Sequence, residues 1–227
     1  MKIDVIIPAH DEAGAIAQVI NDIPKELVSE IIVVDNASKD NTREIATNAG
    51  ATVVTEAVPG YGKACLRGIQ YLASKSGQPD IVVFLDGDYS DFPDKMQLLI
   101  DPIYEERAEL VIGSRALGDL EPGSMTVPQI FGNWLATRLI RWFFGYHFTD
   151  LGPFRAIKYD ELLRLNMQDE DFGWTVEMQV KAAKQGLKCL EVPVPYRKRI
   201  GQSKISGTIR GTILAGHKIL WTIFKNI

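Results

Sequence analysis

The stretch Ile81-Val82-Val83-Phe84-Leu85-Asp86-Gly87-Asp88 sets five consecutive apolar residues against two carboxylates separated by a glycine. A run of this length reads as a strand buried on both faces, and such strands belong to parallel sheets covered by helices. Its end delivers Asp86 and Asp88 into a loop, where Gly87 lets the backbone come close to a ligand. Adjacent like charges repel unless a cation or hydrogen-bond donors compensate them. A hard divalent ion, Mg²⁺ or Mn²⁺, holding a diphosphate is therefore one reading of the pair. Aspartates that only cap the turn are the other, and D-x-D alone does not choose.

Outward from that strand, apolar runs of strand length alternate with helix-length periodic segments. Strands are predicted at Ile3 to Ile7, Glu30 to Val34, Thr52 to Thr55, Ile81 to Leu85 and Leu110 to Gly113, with helices over 13–23, 40–49, 61–74 and 94–106. Asp40 suits an N-cap and Gly50 a stop. The pattern predicts an α/β, doubly wound, mostly parallel sheet with helices on both faces, in which ligands bind beyond the carboxyl ends of the strands. Polar residues gather there: His10-Asp11-Glu12, Asp35-Asn36-Ala37-Ser38, Asp86-Gly87-Asp88 and Ser114-Arg115. A Gly/Pro-rich stretch, 116–128, then precedes an aromatic-rich helix over 129–145. Its Trp134, Trp142, Phe143 and Phe144 suit either a core or a lipid-facing surface. A helix near 173–185, a strand near 188–194, a basic loop at 196–206 and a final helix from about 208 complete the chain. No internal repeat or long linker divides it, so one domain over 1–207 followed by an amphipathic helix over 208–227 is expected.

The chain has 227 residues, is 46% apolar and 24% charged, and carries a formal charge of −4. That balance excludes disordered, collagen-like and coiled-coil classes. Cys65 and Cys189 lack C-x-x-C spacing and a nearby histidine, which fits buried thiols in a reducing compartment and no zinc site. The first residues are too short and too acidic for a secretion signal, so a cytoplasmic protein is expected. Residues 186–227 hold eight Lys or Arg against the single Glu191, a basic end on an acidic body. Such an end suits nucleic acid, an anionic membrane surface or a phosphorylated substrate. Nucleic acid is the poor fit, because the cations are confined to one short tail. Apolar residues from Ile209 to Ile227 recur at helical spacing, interrupted by Arg210, Lys218 and Lys225. This predicts an amphipathic helix too charged to span a bilayer, packed on the body or peripheral at a membrane.

Five ordered motifs resemble family 2 inverting glycosyltransferases: Ile6-Ile7-Pro8-Ala9-His10-Asp11-Glu12, Val33 to Thr42, Gly60-Tyr61-Gly62-Lys63-Ala64, Asp86-Gly87-Asp88 and Gly113-Ser114-Arg115. Asp150-Leu151-Gly152-Pro153-Phe154-Arg155 with Gly201-Gln202-Ser203-Lys204 resembles the dolichyl-phosphate mannosyltransferase and polyprenyl-phosphate glycosyltransferase branch. The chain departs from the family pattern at His10 (usually Asn), Asn36 (often Asp) and Pro153 (more often Gly, within Ser-Gly-Phe-Arg). It also lacks Q-x-x-R-W, which argues against a processive synthase.

The resemblance implies a GT-A nucleotide-diphospho-sugar transferase fold and transfer of a hexose from a UDP-glucose or GDP-mannose type donor to a polyprenyl or dolichyl phosphate. It also implies roles. Pro8, Ala9 and Glu12 floor the nucleoside site, Asp35 accepts from the base, and Lys63 sits near the base or phosphates. Asp86 and Asp88, with Gly87 between them, hold Mg²⁺ or Mn²⁺ and the diphosphate. An acceptor that is already anionic needs charge neutralisation more than a base, so Arg115, Arg155, Arg197, Arg199, Ser203 and Lys204 are expected at its phosphate. A hydroxyl acceptor instead needs a base, for which Asp150 is the candidate; Asp150 also suits orienting Arg155 or joining the metal site. Glu177 is either an acid facing the sugar or an exposed helix residue, and His147 and His217 read as packing or surface residues. Outside the transferase reading stand a non-catalytic nucleotide-sugar-binding partner of a membrane protein, and a nucleotidyltransferase, which the missing Gly-rich loop after the first strand disfavours.

Overall fold

The structure is a computed structural model that describes residues 1–201 and 209–227. Its strands are β1 (Ile3–Ala9), β2 (Glu30–Asn36), β3 (Thr52–Glu56), β4 (Ile81–Phe84), β5 (Leu110–Ser114), β6 (Arg155–Lys158) and β7 (Cys189–Pro193). The helices are α1 (Ile16–Asp22), α2 (Thr42–Asn48), α3 (Tyr61–Ser74), α4 (Met96–Tyr104), α5 (Val127–Phe144), α6 (Tyr159–Leu165), α7 (Trp174–Gln185) and α8 (Ile209–Lys225). The strands form one sheet in the order β3-β2-β1-β4-β6-β5-β7. All run parallel except β6, which lies antiparallel between β4 and β5.

Strand side chains alternate between two cores, as the period of two requires. On β4, Val82 and Phe84 join α3, α5, α6, α7 and α8, whereas Ile81 and Val83 face α1, α2 and α4. Both faces are thus covered, which is why β4 reads as an unbroken apolar run and β1 and β5 nearly so, with Asp4 buried on β1. The five strands and four helices expected in the first half are present within a few residues, and so are the later helices and β7. The short β6 was not expected: its four residues, Arg-Ala-Ile-Lys, show no apolar run, yet three of them are buried.

Two junctions set the rim of the sheet. Helix α3 begins against residues 169–170, with the Lys63 amide donating to the Glu170 carbonyl at 3.0 Å. A Cβ on Gly62 would lie 2.0 Å from the Asp169 carbonyl oxygen, so only glycine permits this approach. Helix α5 is closed by a capping box in which Thr126 and Gln129 satisfy each other's backbone, and it ends on left-handed Gly145.

Candidate active site

The loops after β1, β2 and β4 meet beyond the carboxyl ends of their strands. Each holds a non-glycine residue in the left-handed region: Asp11 (φ 53°), Ala37 (φ 57°) and Tyr89 (φ 64°). Such backbone costs roughly 1–3 kcal/mol per residue and concentrates at functional sites. Here it turns the chain sharply enough to keep the strand ends open as a cavity of about 400 Å³. Pro8, Ala9, Glu12, Asp86, Gly87 and Asp88 line it, as expected, together with His10, Asn36, Tyr61, Phe172 and Arg199. A second cavity, about 470 Å³, opens on the other side of the same carboxylates. Tyr61, Asp86, Asp88, Phe172 and Arg199 line both, so two molecules bound there would meet at the aspartates.

The two carboxylates differ. Asp88 is buried and turns Oδ1 toward the Ser90 amide (2.9 Å) and hydroxyl (2.5 Å), leaving Oδ2 with Arg199 Nη1 at 3.1 Å. Asp86 accepts from the Tyr61 hydroxyl at 3.0 Å. Burial, and then the charge of Asp88, push the Asp86 carboxyl up to about 7. Asp91, three residues beyond Asp88, is buried with no hydrogen-bond partner for either carboxyl oxygen among the described residues, and burial raises it well above the usual range. The site is short of positive charge, and its donors are hard oxygens, a set that suits Mg²⁺ or Mn²⁺. Among the described residues no cluster of three or more side-chain metal ligands forms. Asp86 and Asp88 would therefore hold such an ion with phosphate and water oxygens completing its shell.

Several expected residues have other work. Arg155 opens β6 fully buried, and its guanidinium donates to the carbonyls of Leu151, Gly152 and Thr175. It lines neither cavity, and these bonds brace the 150–155 loop. Arg197 is likewise absent from both cavities. It donates to the Tyr89 and Asp91 carbonyls at 2.6 and 3.0 Å, stacked on Tyr89 and Phe92, and so fixes the loop that carries Asp88. Asp150 is 1% exposed and grips Arg115 in a two-pronged pair, Nε to Oδ2 at 2.8 Å and Nη2 to Oδ1 at 2.7 Å. That pairing, acting against burial, raises the guanidinium, and it sets Asp150 against Arg115 and not Arg155, with both carboxylate oxygens engaged. Arg115 lines the second cavity, as expected.

Asp35, expected at the base, is buried at the end of β2, accepts from the Ser38 amide at 3.3 Å and lines neither cavity, while the neighbouring Asn36 lines the first. Lys63 faces Glu170 at 3.4 Å and lines neither cavity; Tyr61, two residues earlier in the same motif, is the side chain that reaches Asp86. Glu177 is buried, accepts from the Gln168 and Asp169 amides and pairs with Lys181, so it secures the turn before α7 without facing Asp86 or Asp88. Ser203 and Lys204 lie outside the described residues.

The second cavity shows what the sequence reading missed. Ser124, Thr126, Gln129 and Asn133 come from the start of α5 and the loop before it, Tyr196 and Lys198 from the segment after β7, and Ala215, Gly216 and Ile219 from α8. Tyr196 sits under the Arg115 guanidinium at 5.0 Å. Mostly uncharged residues spread over three distant segments carry no local signature.

Comparison with known proteins agrees with this geometry. A model described as glycosyl transferase family 2 matches residues 4–161. The glycosyltransferase AglJ of Haloferax volcanii is 34% identical over 196 residues, which is 86% of this chain and 63% of that protein; this chain thus spans less than two thirds of that relative. The undecaprenyl-phosphate mannosyltransferase of Micrococcus luteus is 28% identical over 223 residues, covering 93% of this chain and 90% of that one. Glucosyl-3-phosphoglycerate synthase from Mycobacterium tuberculosis, solved with Mn²⁺, UDP-glucose and phosphoglyceric acid, superposes with a TM-score of 0.77 at 23% identity, over 99% of this chain and 79% of that one, and shows a shared fold. With the family match spanning well over half of its length, on a sheet whose strand ends converge on an Asp-Gly-Asp turn, the chain belongs to glycosyl transferase family 2 and is a glycosyltransferase enzyme.

Proposed function

We propose that this enzyme transfers a hexose, with inversion, from a nucleotide diphosphate sugar to a polyprenyl phosphate, and that residues 1–207 form its catalytic unit. The observation that carries the proposal is the pair of cavities meeting at Asp86 and Asp88. The one floored by Pro8, Ala9 and Glu12 suits the nucleoside diphosphate. The one bordered by Arg115, Lys198 and Arg199 suits an anion approaching from the opposite side, the geometry an inverting displacement needs. Asp86 and Asp88 would hold Mn²⁺ or Mg²⁺, which when bound would supply charge neutralisation for the departing diphosphate. The solved neighbour holding Mn²⁺ and UDP-glucose, and the relative named for undecaprenyl phosphate, support donor and acceptor classes respectively.

A phosphate acceptor needs no proton removed at neutral pH, which agrees with Asp150 being consumed by Arg115. Phe172 and Tyr61 wall the junction between the two cavities. Incubation with labelled UDP-glucose or GDP-mannose, Mn²⁺ and a short-chain polyprenyl phosphate should give an acid-labile lipid product. Label appearing only on hydroxyl acceptors contradicts the assignment.

The acceptor also implies a bilayer. Among the described residues no helix is long and apolar enough to cross a membrane. Helices α5 and α8, which pack together through Phe143 and Phe224 and border the second cavity, nevertheless expose Phe131, Trp134, Trp142 (79%), Trp221 (57%) and Phe224. Neither helix contains an acidic residue, and Arg138, Arg141, Lys218 and Lys225 lie among the apolar positions. This combination fits the interface of an anionic bilayer, with the cavity mouth turned toward the lipid.

A further inference from the structure

Arg199 occupies the seam between the two cavities. Its Nη2 donates to Glu12 Oε1 at 2.7 Å and its Nη1 lies 3.1 Å from Asp88 Oδ2. Glu12 follows β1 and Asp88 follows β4, so one guanidinium bolts together two rims of the donor cavity. The other oxygen of Asp88 is already committed to the Ser90 amide and hydroxyl. The oxygen that remains for a metal ion is the one Arg199 holds.

The main chain on either side of Arg199 is tied down, with the Lys198 amide on Glu121 at 2.8 Å and the Ile200 amide on the Asp88 carbonyl at 2.9 Å. Release therefore has to come from the side chain, which is partly exposed, and whose Nε is buried with no hydrogen-bond partner among the described residues. A guanidinium and a divalent cation cannot share one carboxylate oxygen without strong repulsion. When one leaves, the neighbouring space on the acceptor side is open to it.

We propose that Arg199 is a built-in counter-cation that competes with the divalent metal for Asp88, and that loading of metal and donor frees its guanidinium for the acceptor phosphate. The inference rests on the metal-assisted transfer proposed above. It makes the two cavities communicate: whatever draws Arg199 to the acceptor side must strengthen metal binding, and the reverse, by the same factor.

Titrating Mn²⁺ into nucleotide-free protein at about pH 8, with free Mn²⁺ read by electron paramagnetic resonance, tests this apart from turnover. Arg199→Gln should bind Mn²⁺ about tenfold more tightly than wild type, because one competing charge is gone. Arg199→Lys, whose ammonium reaches one carboxylate rather than two, should fall between them, and it carries the test if the glutamine variant does not fold. A short-chain polyprenyl phosphate should tighten Mn²⁺ binding in wild type and not in Arg199→Gln. If Asp88→Asn abolishes Mn²⁺ binding while both Arg199 variants bind no better than wild type, the counter-cation role is overturned and the metal site stands. If Asp88→Asn binds Mn²⁺ as wild type does, the metal site is wrong and the role of Arg199 falls with it.

Discussion

Asp86 is the residue whose chemistry is most visibly out of balance. Its carboxyl, ordinarily near 3.8, is raised to about 7 by burial and by Asp88. Ionisation is thus harder in the folded than in the unfolded chain. This contribution to stability is complete below the ordinary carboxylate range, is lost as pH rises through about 7, and stays level above it. A divalent cation binds the ionised form and reverses the loss. The Mn²⁺-induced rise in melting temperature should therefore grow between about pH 5 and pH 7.5 and flatten beyond; a shift independent of pH across that range contradicts the coupling. Asp150 makes the opposite case, a buried carboxylate matched in two hydrogen bonds by Arg115. Removing one partner of a buried pair strands the other charge, so Asp150→Ala should cost about 3–5 kcal/mol in urea unfolding. A loss of activity at unchanged stability would point to a base instead.

At the scale of elements, α5 and α8 carry aromatic side chains that a water-facing helix has little reason to show. On α5 the exposed positions Val127, Ile130, Phe131, Trp134, Arg138, Arg141 and Trp142 recur at three- and four-residue spacing, which places them on one stripe. These side chains are not part of the core, so replacing them leaves the fold intact. The double variant Phe131→Glu/Trp142→Glu should keep the wild-type melting temperature and lose most of its flotation with phosphatidylglycerol-containing vesicles. Retained flotation contradicts the bilayer-facing assignment. The sequence showed the aromatic content of α5 but left core and lipid readings equal, because hydrophobicity does not reveal which face a neighbour covers. Only the packing of α8 against α5 separates them.

At the scale of the molecule, alternation of apolar runs with helical periods made the doubly wound sheet legible, because a long strand buried on both faces reads as an apolar run. Strand β6 did not, since it is short and begins with an arginine. The same residue explains the limits of reading a site from charge. Arg155 and Arg197 looked like phosphate ligands because sequence records a guanidinium but not the backbone carbonyls that accept from it. Asp86, Asp88, Glu12 and Arg115 were legible because the strand ends before them fix where they go, whereas Arg199 stood out only within a basic loop. Tyr61, Asn36 and the polar residues of the second cavity were not, since neutral side chains become a site only when distant segments meet.

The central claim is that Asp86 and Asp88 hold a divalent ion between a nucleotide diphosphate sugar and its acceptor. Crystals of the protein with UDP-glucose or GDP-mannose and Mn²⁺ test it most directly through the anomalous signal of manganese. A peak in contact with Asp86 and Asp88, with the diphosphate over Pro8 and Ala9, is the predicted result. Manganese absent from both carboxylates, or the nucleotide bound away from that cavity, would contradict it.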